Sequence, residues 1–259
     1  MENNAYLYTV SSVKELSARV FPFLRRGVFT NAFLSPDTYA SEIAEGRLFT
    51  HAEDGFLGIF LSRDGFYSLY VYVLGEKMPL FPSFLSLLCE VAGDAPAFLA
   101  ESFTPFFSRV HLSRAPSEGA SGFPSGICPL LPSQVREGFS LLSKCFDPRT
   151  AALPTFTEFC RDCEKGNVLG KTEDGTLAGL LRFSCSAKRA EIKHLCVHPD
   201  RRKKGVAALL CESFLAAHGK KTVSVFTGSE NRAARALYES FGFVRDEITS
   251  TVYQKGVSV

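Results

Sequence analysis

Residues 190–243 constrain this chain more than any other stretch. They read AEIKHLCVHPDRRKKGVAALLCESFLAAHGKKTVSVFTGSENRAARALYESFGF. An apolar run ends at Val197-His198-Pro199, and a basic loop with one glycine follows. Val206, Leu209, Leu210, Phe214 and Ala217 then recur at helical spacing, with Gly219 as a stop signal. A second apolar run, Thr222 to Phe226, leads into a second helix pattern from Glu230 to Phe241. The order is strand, loop, helix, strand, helix.

The loop is suited to holding an anion. A helix starting near Gly205 leaves its first backbone N–H groups without partners, and its dipole places about half a positive charge there. Glycine has no Cβ, so an oxygen can come close to the backbone. Arg201, Arg202, Lys203 and Lys204 add charge at the same place. Phosphate or diphosphate fits such a site. A solvated basic helix start would carry the same charges.

The pattern Arg202-x-x-Gly205-x-Ala207, after a strand ending Val-His-Pro, resembles the acyl-CoA pyrophosphate loop of the GNAT (Gcn5-related N-acetyltransferase) superfamily. Asn231, followed by Leu237-Tyr238-Glu239-Ser240-Phe241-Gly242-Phe243, resembles that family's second cofactor motif. The close match covers roughly residues 127–255, and the first half matches only as a worn copy. The resemblance implies an α/β (α+β) fold of two GNAT-like domains, each a mixed, mostly antiparallel twisted sheet flanked by helices. It implies acetyl-CoA as co-substrate, no metal, and an amine acceptor. Leu195, Cys196 and Val197 would offer backbone hydrogen bonds to the pantetheine arm. Arg202, Lys203, Lys204, Gly205, Val206 and Ala207 would hold the diphosphate. Asn231 would either bind the cofactor or cap local backbone.

Acyl transfer to an amine sets two proton problems. An alkylammonium has a pKa near about 10.4, so its free base at pH 7 costs about 4.6 kcal/mol. A base must take that proton, and the departing thiolate needs one in return. Tyr238 is the candidate acid, seven residues after Asn231 and on the same helix face. The strand before the loop offers Glu191, Lys193 and His194. His194 titrates in the useful range and is the candidate base. Glu191 reads as a solvated edge charge and His198 as structural.

Two other readings share these residues. One is a catalytically idle acyl-CoA-binding sensor, against which Tyr238 stands. The other is a tandem transferase using aminoacyl-tRNA, but no aromatic residues interleave the Arg201–Lys204 run.

The rest of the chain sets the frame. Its 259 residues allow one large domain or two ordinary ones, and a net charge of +2 argues against a nucleic-acid partner. The start, MENNAYLYTV, predicts no secretory signal. Met78–Ala92 is too short to span a bilayer and carries Pro79 and Pro82, so no membrane partner is expected. Eight scattered cysteines read as reduced, buried thiols of a cytoplasmic protein. The tightly spaced Cys160-Arg-Asp-Cys163 sits late in a helix pattern, which suits neither zinc nor a redox turn. Gly166–Thr172 imitates a nucleotide-binding loop but is one residue short and runs into an Asp-Gly turn. A monomer or a homodimer is expected.

Residues 113–126 are rich in Ser, Gly and Pro and predict a linker between a domain at 1–112 and one at 127–259. The halves echo each other. Ser11-Ser-Val-Lys-Glu15 returns as Ser133-Gln-Val-Arg-Glu137, and an Asp-Gly hairpin follows at 54–55 and at 174–175. In the first half, Tyr6–Val10, Leu48–His51, Phe56–Leu61 and Phe66–Leu74 read as strands, and Phe84–Val91 as a helix. Gly75-Glu-Lys-Met-Pro-Leu-Phe-Pro82 stands where the second half has its anion loop. Prolines remove N–H donors there, so the first domain is not expected to bind CoA.

Overall fold

A computed structural model of the chain describes residues 6–32, 34–117 and 126–256. It divides into two compact units, residues 1–108 with 249–259 and residues 109–248. This differs from the expected division at 112 and 127. Ser113 and Arg114, expected in a linker, end a strand, and residues 118–125 lie outside those described.

The first unit runs β1 (Tyr8–Thr9), α1 (Val13–Val20), β2 (Val28–Thr30), α2 (Pro36–Ala44), β3 (Leu48–Glu53), β4 (Phe56–Ser62), β5 (Tyr67–Leu74), β6 (Leu87–Ala92), α3 (Ala97–Ala100) and the start of β7 (Thr104–Arg114). Local chemistry sets these boundaries. Ser12 Oγ accepts from Glu15 N–H at 3.1 Å, and the Glu15 carboxylate reaches back to Ser11 N–H at 2.9 Å, so α1 begins there. Asp54 and Gly55 turn β3 into β4, which pair from Leu48↔Leu61 to Glu53↔Phe56.

Phe84–Val91 is not the expected helix; its last residues form strand β6. Leu87 and Leu88 pair in parallel with Tyr67 and Ser68, and Leu87–Ala92 pair antiparallel with Ser250–Lys255 near the chain's end. Leu87, Leu88, Cys89 and Val91 are all buried. A strand covered on both faces is apolar throughout, and such a run reads like a buried helix.

The second unit runs β8 (Ile127–Pro129), α4 (Val135–Cys145), α5 (Phe156–Glu164), β9 (Val168–Glu173), β10 (Thr176–Cys185), β11 (Arg189–Val197), α6 (Val206–His218), β12 (Thr222–Gly228), α7 (Arg232–Ser240) and the start of β13 (Val244–Lys255). Thr155 and Glu158 cap α5 reciprocally. Among the described residues of this unit, only β11 and β12 pair in parallel. Residues Arg109–Arg114 of β7 complete this sheet beside β12.

Each unit is therefore a mixed, mostly antiparallel sheet flanked by helices, with one strand order. A short edge strand, a three-stranded meander, a parallel pair and a final antiparallel strand recur as β1-β3-β4-β5-β6-β13 and β8-β9-β10-β11-β12-β7. The parallel pair is joined by α6 in the second unit, whereas residues 75–86 form no helix in the first.

Two cores sandwich the second sheet. Val206, Leu210 and Phe214 of α6 and Tyr238 of α7 pack on one face with Val110, Leu112, Ile192, Val223 and Val225. Leu141, Leu142 and Phe159 of α4 and α5 pack on the other with Leu177, Leu180 and Cys196. Gly179 lets α6 approach closely: a Cβ there would stand 2.8 Å from Cys196 O and 2.9 Å from Val206 Cγ1.

Candidate active site

The site begins where β11 and β12 part. Their parallel ladder runs from Arg189↔Thr222 to Ile192↔Val225 and stops. On its other edge β11 stays paired with β10, but the register shifts between Arg182↔His194 and Phe183↔Ile192. Lys193 is the extra residue of a β-bulge. A bulge bends and twists its strand, so a wedge opens beside Lys193–Val197. Backbone groups on that edge have no strand partner. Val197 O instead accepts from Arg202 Nε at 3.3 Å.

The loop from β11 to α6 is tightly wound. Lys203 and Gly205 both take left-handed backbone, at φ 60° and 81°. Gly205 is the N-cap of α6 and no side chain caps the helix. The first intrahelical bond is Leu209 N–H to Gly205 O at 3.0 Å, so the N–H groups of Val206 and Ala207 stay open to a ligand. A Cβ placed on Gly205 would meet nothing within 4 Å. The residues present thus form an open, electropositive cradle that fits a diphosphate.

The four cations of the loop divide. Arg201 is tied back to Asp174 at 3.0 Å and Glu173 at 3.8 Å. Arg202 lies against Val197 O, and Lys203 and Lys204 are exposed. His198 accepts from Asp200 N–H at 3.4 Å.

Asn231 caps α7: its side chain accepts from Ala234 N–H at 3.1 Å. Tyr238 is 4% exposed and lies 5.5 Å, ring to ring, from Phe243. Burial, and next the neighbouring Cys211, push its phenol well above the usual range.

His194 faces α4. Its ring meets Phe146 edge-on at 5.2 Å, and Nδ1 lies 3.4 Å from Arg182 Nη1. Arg182 is itself held by Asp162 at 2.6 Å. Burial first, then the Arg182, Lys193 and Arg109 charges, push His194 down to about 3. It is neutral at physiological pH and a weak base. Glu191 and Lys193 pair with each other at 2.6 Å.

A second histidine, which no local sequence pattern marks, stands opposite the first β12 residue beyond the β11–β12 ladder. His111 of β7 stands opposite Phe226 of β12, and the two rings meet at 4.7 Å. Their neighbours Leu112 and Val225 belong to the α6 core, so His111 and Phe226 face the opposite side of the sheet, the side of His194. His111 Nδ1–H donates to Asp246 Oδ2 at 2.6 Å. Burial raises the Asp246 carboxyl, but hydrogen bonds from His111 and from Ile248 N–H at 3.0 Å outweigh it and hold it below the usual range. The imidazole is thus oriented by a fixed carboxylate. Only the pairing of β7 with β12 brings these residues to light.

Among the described residues no helix is long and apolar enough to cross a membrane. Residues 135–243 match the model of the acetyltransferase (GNAT) family. Solved structures of like fold include a GNAT-family acetyltransferase from Colwellia psychrerythraea, 15% identical over 96% of this chain and 98% of that one, at a TM-score of 0.55. A GCN5-related N-acetyltransferase from Sphaerobacter thermophilus is 15% identical over 90% and 96%, at 0.54. A tandem GNAT protein from the clavulanic acid biosynthesis pathway is 13% identical over 97% and 91%, at 0.53. No curated protein matches the chain.

Proposed function

We propose, from the GNAT-superfamily acetyltransferase fold of this chain, that it moves an acetyl group from acetyl-CoA to a primary amine by direct attack. One observation carries the reading: the uncapped start of α6 at Gly205 opens beside the strand edge freed where β11 leaves β12. Arg202, Lys203, Lys204 and the N–H groups at Gly205, Val206 and Ala207 hold the diphosphate. The free edge at Leu195, Cys196 and Val197 takes the pantetheine arm. Asn231 acts by capping α7, which carries Tyr238.

In the reaction the amine nitrogen attacks the thioester carbonyl, and the carbon–sulfur bond breaks as the amide forms. His194 is a poor base for this step. Taking a proton from an ammonium onto a group near pKa 3 would run uphill by about 10 kcal/mol. The role passes to His111, whose Nε2 accepts the proton while Asp246 stabilises the imidazolium. Tyr238 donates to the departing sulfur. Burial raises its pKa, so its proton moves only as charge develops on the sulfur.

The first unit has no helix between β5 and β6, and in this reading it binds no CoA. The eight free cysteines suit a reducing compartment such as the cytoplasm. Calorimetric titration of the full chain with acetyl-CoA and with CoA tests the reading. Saturable binding of both is expected; no binding of either would remove its basis.

A further inference from the structure

Two thiols that the acyl transfer does not use meet beside the anion loop. Cys145 is the last residue of α4 and Cys196 the last but one of β11. Cys196 is 5% exposed, while Cys145 is only half-buried. Cys145 packs against the apolar cluster that contains Cys196. Cys145 Sγ also lies 3.8 Å from Val197 O, the oxygen that Arg202 Nε contacts. The Arg202 guanidinium and His198 lie close by. These neighbours favour the Cys145 thiolate: Cys196 first, then Arg202, lower its pKa against the pull of burial. Cys196 moves the other way and stays a thiol.

The Cys160–Cys163 pair, which the sequence draws attention to, has a different setting. Both lie on α5, and burial, then the charge of Cys160, raise the Cys163 thiol.

We propose that Cys145 and Cys196 form a peroxide-oxidisable dithiol, Cys145 attacking and Cys196 resolving, that closes to a disulfide between α4 and β11. The Cys145 thiolate attacks one peroxide oxygen and the O–O bond breaks. The leaving hydroxide takes a proton from solvent, and Cys145 becomes a sulfenic acid. The Cys196 sulfur then attacks the Cys145 sulfur and the S–O bond breaks. The second hydroxide leaves with the Cys196 proton as water. Two thiols and one peroxide give one disulfide and two waters. An accessible thiolate beside a buried partner thiol is the arrangement this chemistry needs. The bridge would remove the negative charge that Arg202 faces and pin the end of α4 to the strand edge. The dithiol reading stands whether or not the wedge takes acetyl-CoA.

The test uses the full chain, reduced, then treated with equimolar hydrogen peroxide, alkylated, digested and mapped by mass spectrometry. The expected product is a Cys145–Cys196 peptide pair lighter by two hydrogens. Ionisation speeds attack and lower basicity slows it, so Cys145 should lose its free thiol about threefold faster than exposed Cys128. Cys196→Ser should stop at a sulfenic acid on Cys145 that dimedone traps, and Cys145→Ser should form no bridge at Cys196. Free thiols at both positions after Cys128 has oxidised would overturn the proposal. So would a dimedone adduct on Cys145 as abundant in the wild type as in Cys196→Ser. The wild-type map decides the matter even if a variant fails to fold.

Discussion

His111 Nδ1 stands 2.6 Å from Asp246 Oδ2, and the two side chains come from strands far apart in sequence. Asp246 fixes which ring nitrogen carries the proton. Asp246→Asn should therefore lower turnover, by about 100-fold or more, without weakening acetyl-CoA binding. His111→Gln should do the same. Thiol release with an accepted amine, beside calorimetry, separates the two quantities. Equal turnover in both variants would return the base to the β11 strand or to water.

Gly205→Glu should abolish acetyl-CoA binding, because a carboxylate would stand where the diphosphate sits. Gly205→Ala should cost less. There is room for its Cβ, and only the left-handed backbone is penalised, by about 1–2 kcal/mol. Calorimetry on both variants orders them. Wild-type affinity in Gly205→Glu would move the anion site elsewhere.

Tyr238→Phe should leave acetyl-CoA affinity nearly intact and slow thiol release. The ring is 4% exposed, and phenylalanine keeps its packing against Phe243. Unchanged turnover across pH would take the donor role from Tyr238.

His194 ties stability to pH. Its pKa is about 6.5 unfolded and about 3 folded, so the native state resists protonation and the unfolded state does not. The stability this confers is complete above pH 6.5 and falls as the pH drops toward 3. A tenfold difference in proton affinity is worth about 1.4 kcal/mol, so the loss reaches several kcal/mol. Denaturant titrations at stepped pH should show a shallower acid decline for His194→Gln. Parallel curves would mean that His194 titrates normally.

The second unit is readable in sequence where function rests on local pattern. Gly205, the strand before it and the helix after it follow one another in the chain, and periodicity and turn chemistry find them. Sequence leaves Asn231 two roles, and the structure shows the cap, a hydrogen bond from Ala234 N–H. What stays hidden depends on tertiary pairing. His194 looks like a base because a sequence carries an ordinary pKa; burial beside Arg182 removes it. His111 looks like nothing, because its partner lies far along the chain. Phe84–Val91 imitates a helix because a doubly covered strand carries no alternation.

Strand pairing also determines where the chain can be cut. A shortened chain of residues 126–259 lacks Arg109–Arg114, which pair with β12 from Val223 to Gly228. It loses Val110 and Leu112, 3% and 0% exposed, each worth about 1.5–3 kcal/mol of burial. It also bares a sheet edge. Residues 104–248 should fold cooperatively by thermal melting, and residues 126–259 should aggregate or melt without a transition. A sharply melting 126–259 chain would show that the sixth strand is dispensable.

The pairing of Leu87–Ala92 with Ser250–Lys255 also sets a timetable. On the ribosome the early half emerges first, yet its sheet must wait with one flank bare while residues 109–248 are made. The segment begun first is the one completed last. Slow translation or a stalled ribosome should therefore endanger the amino-terminal half more than the half that holds the Gly205 loop.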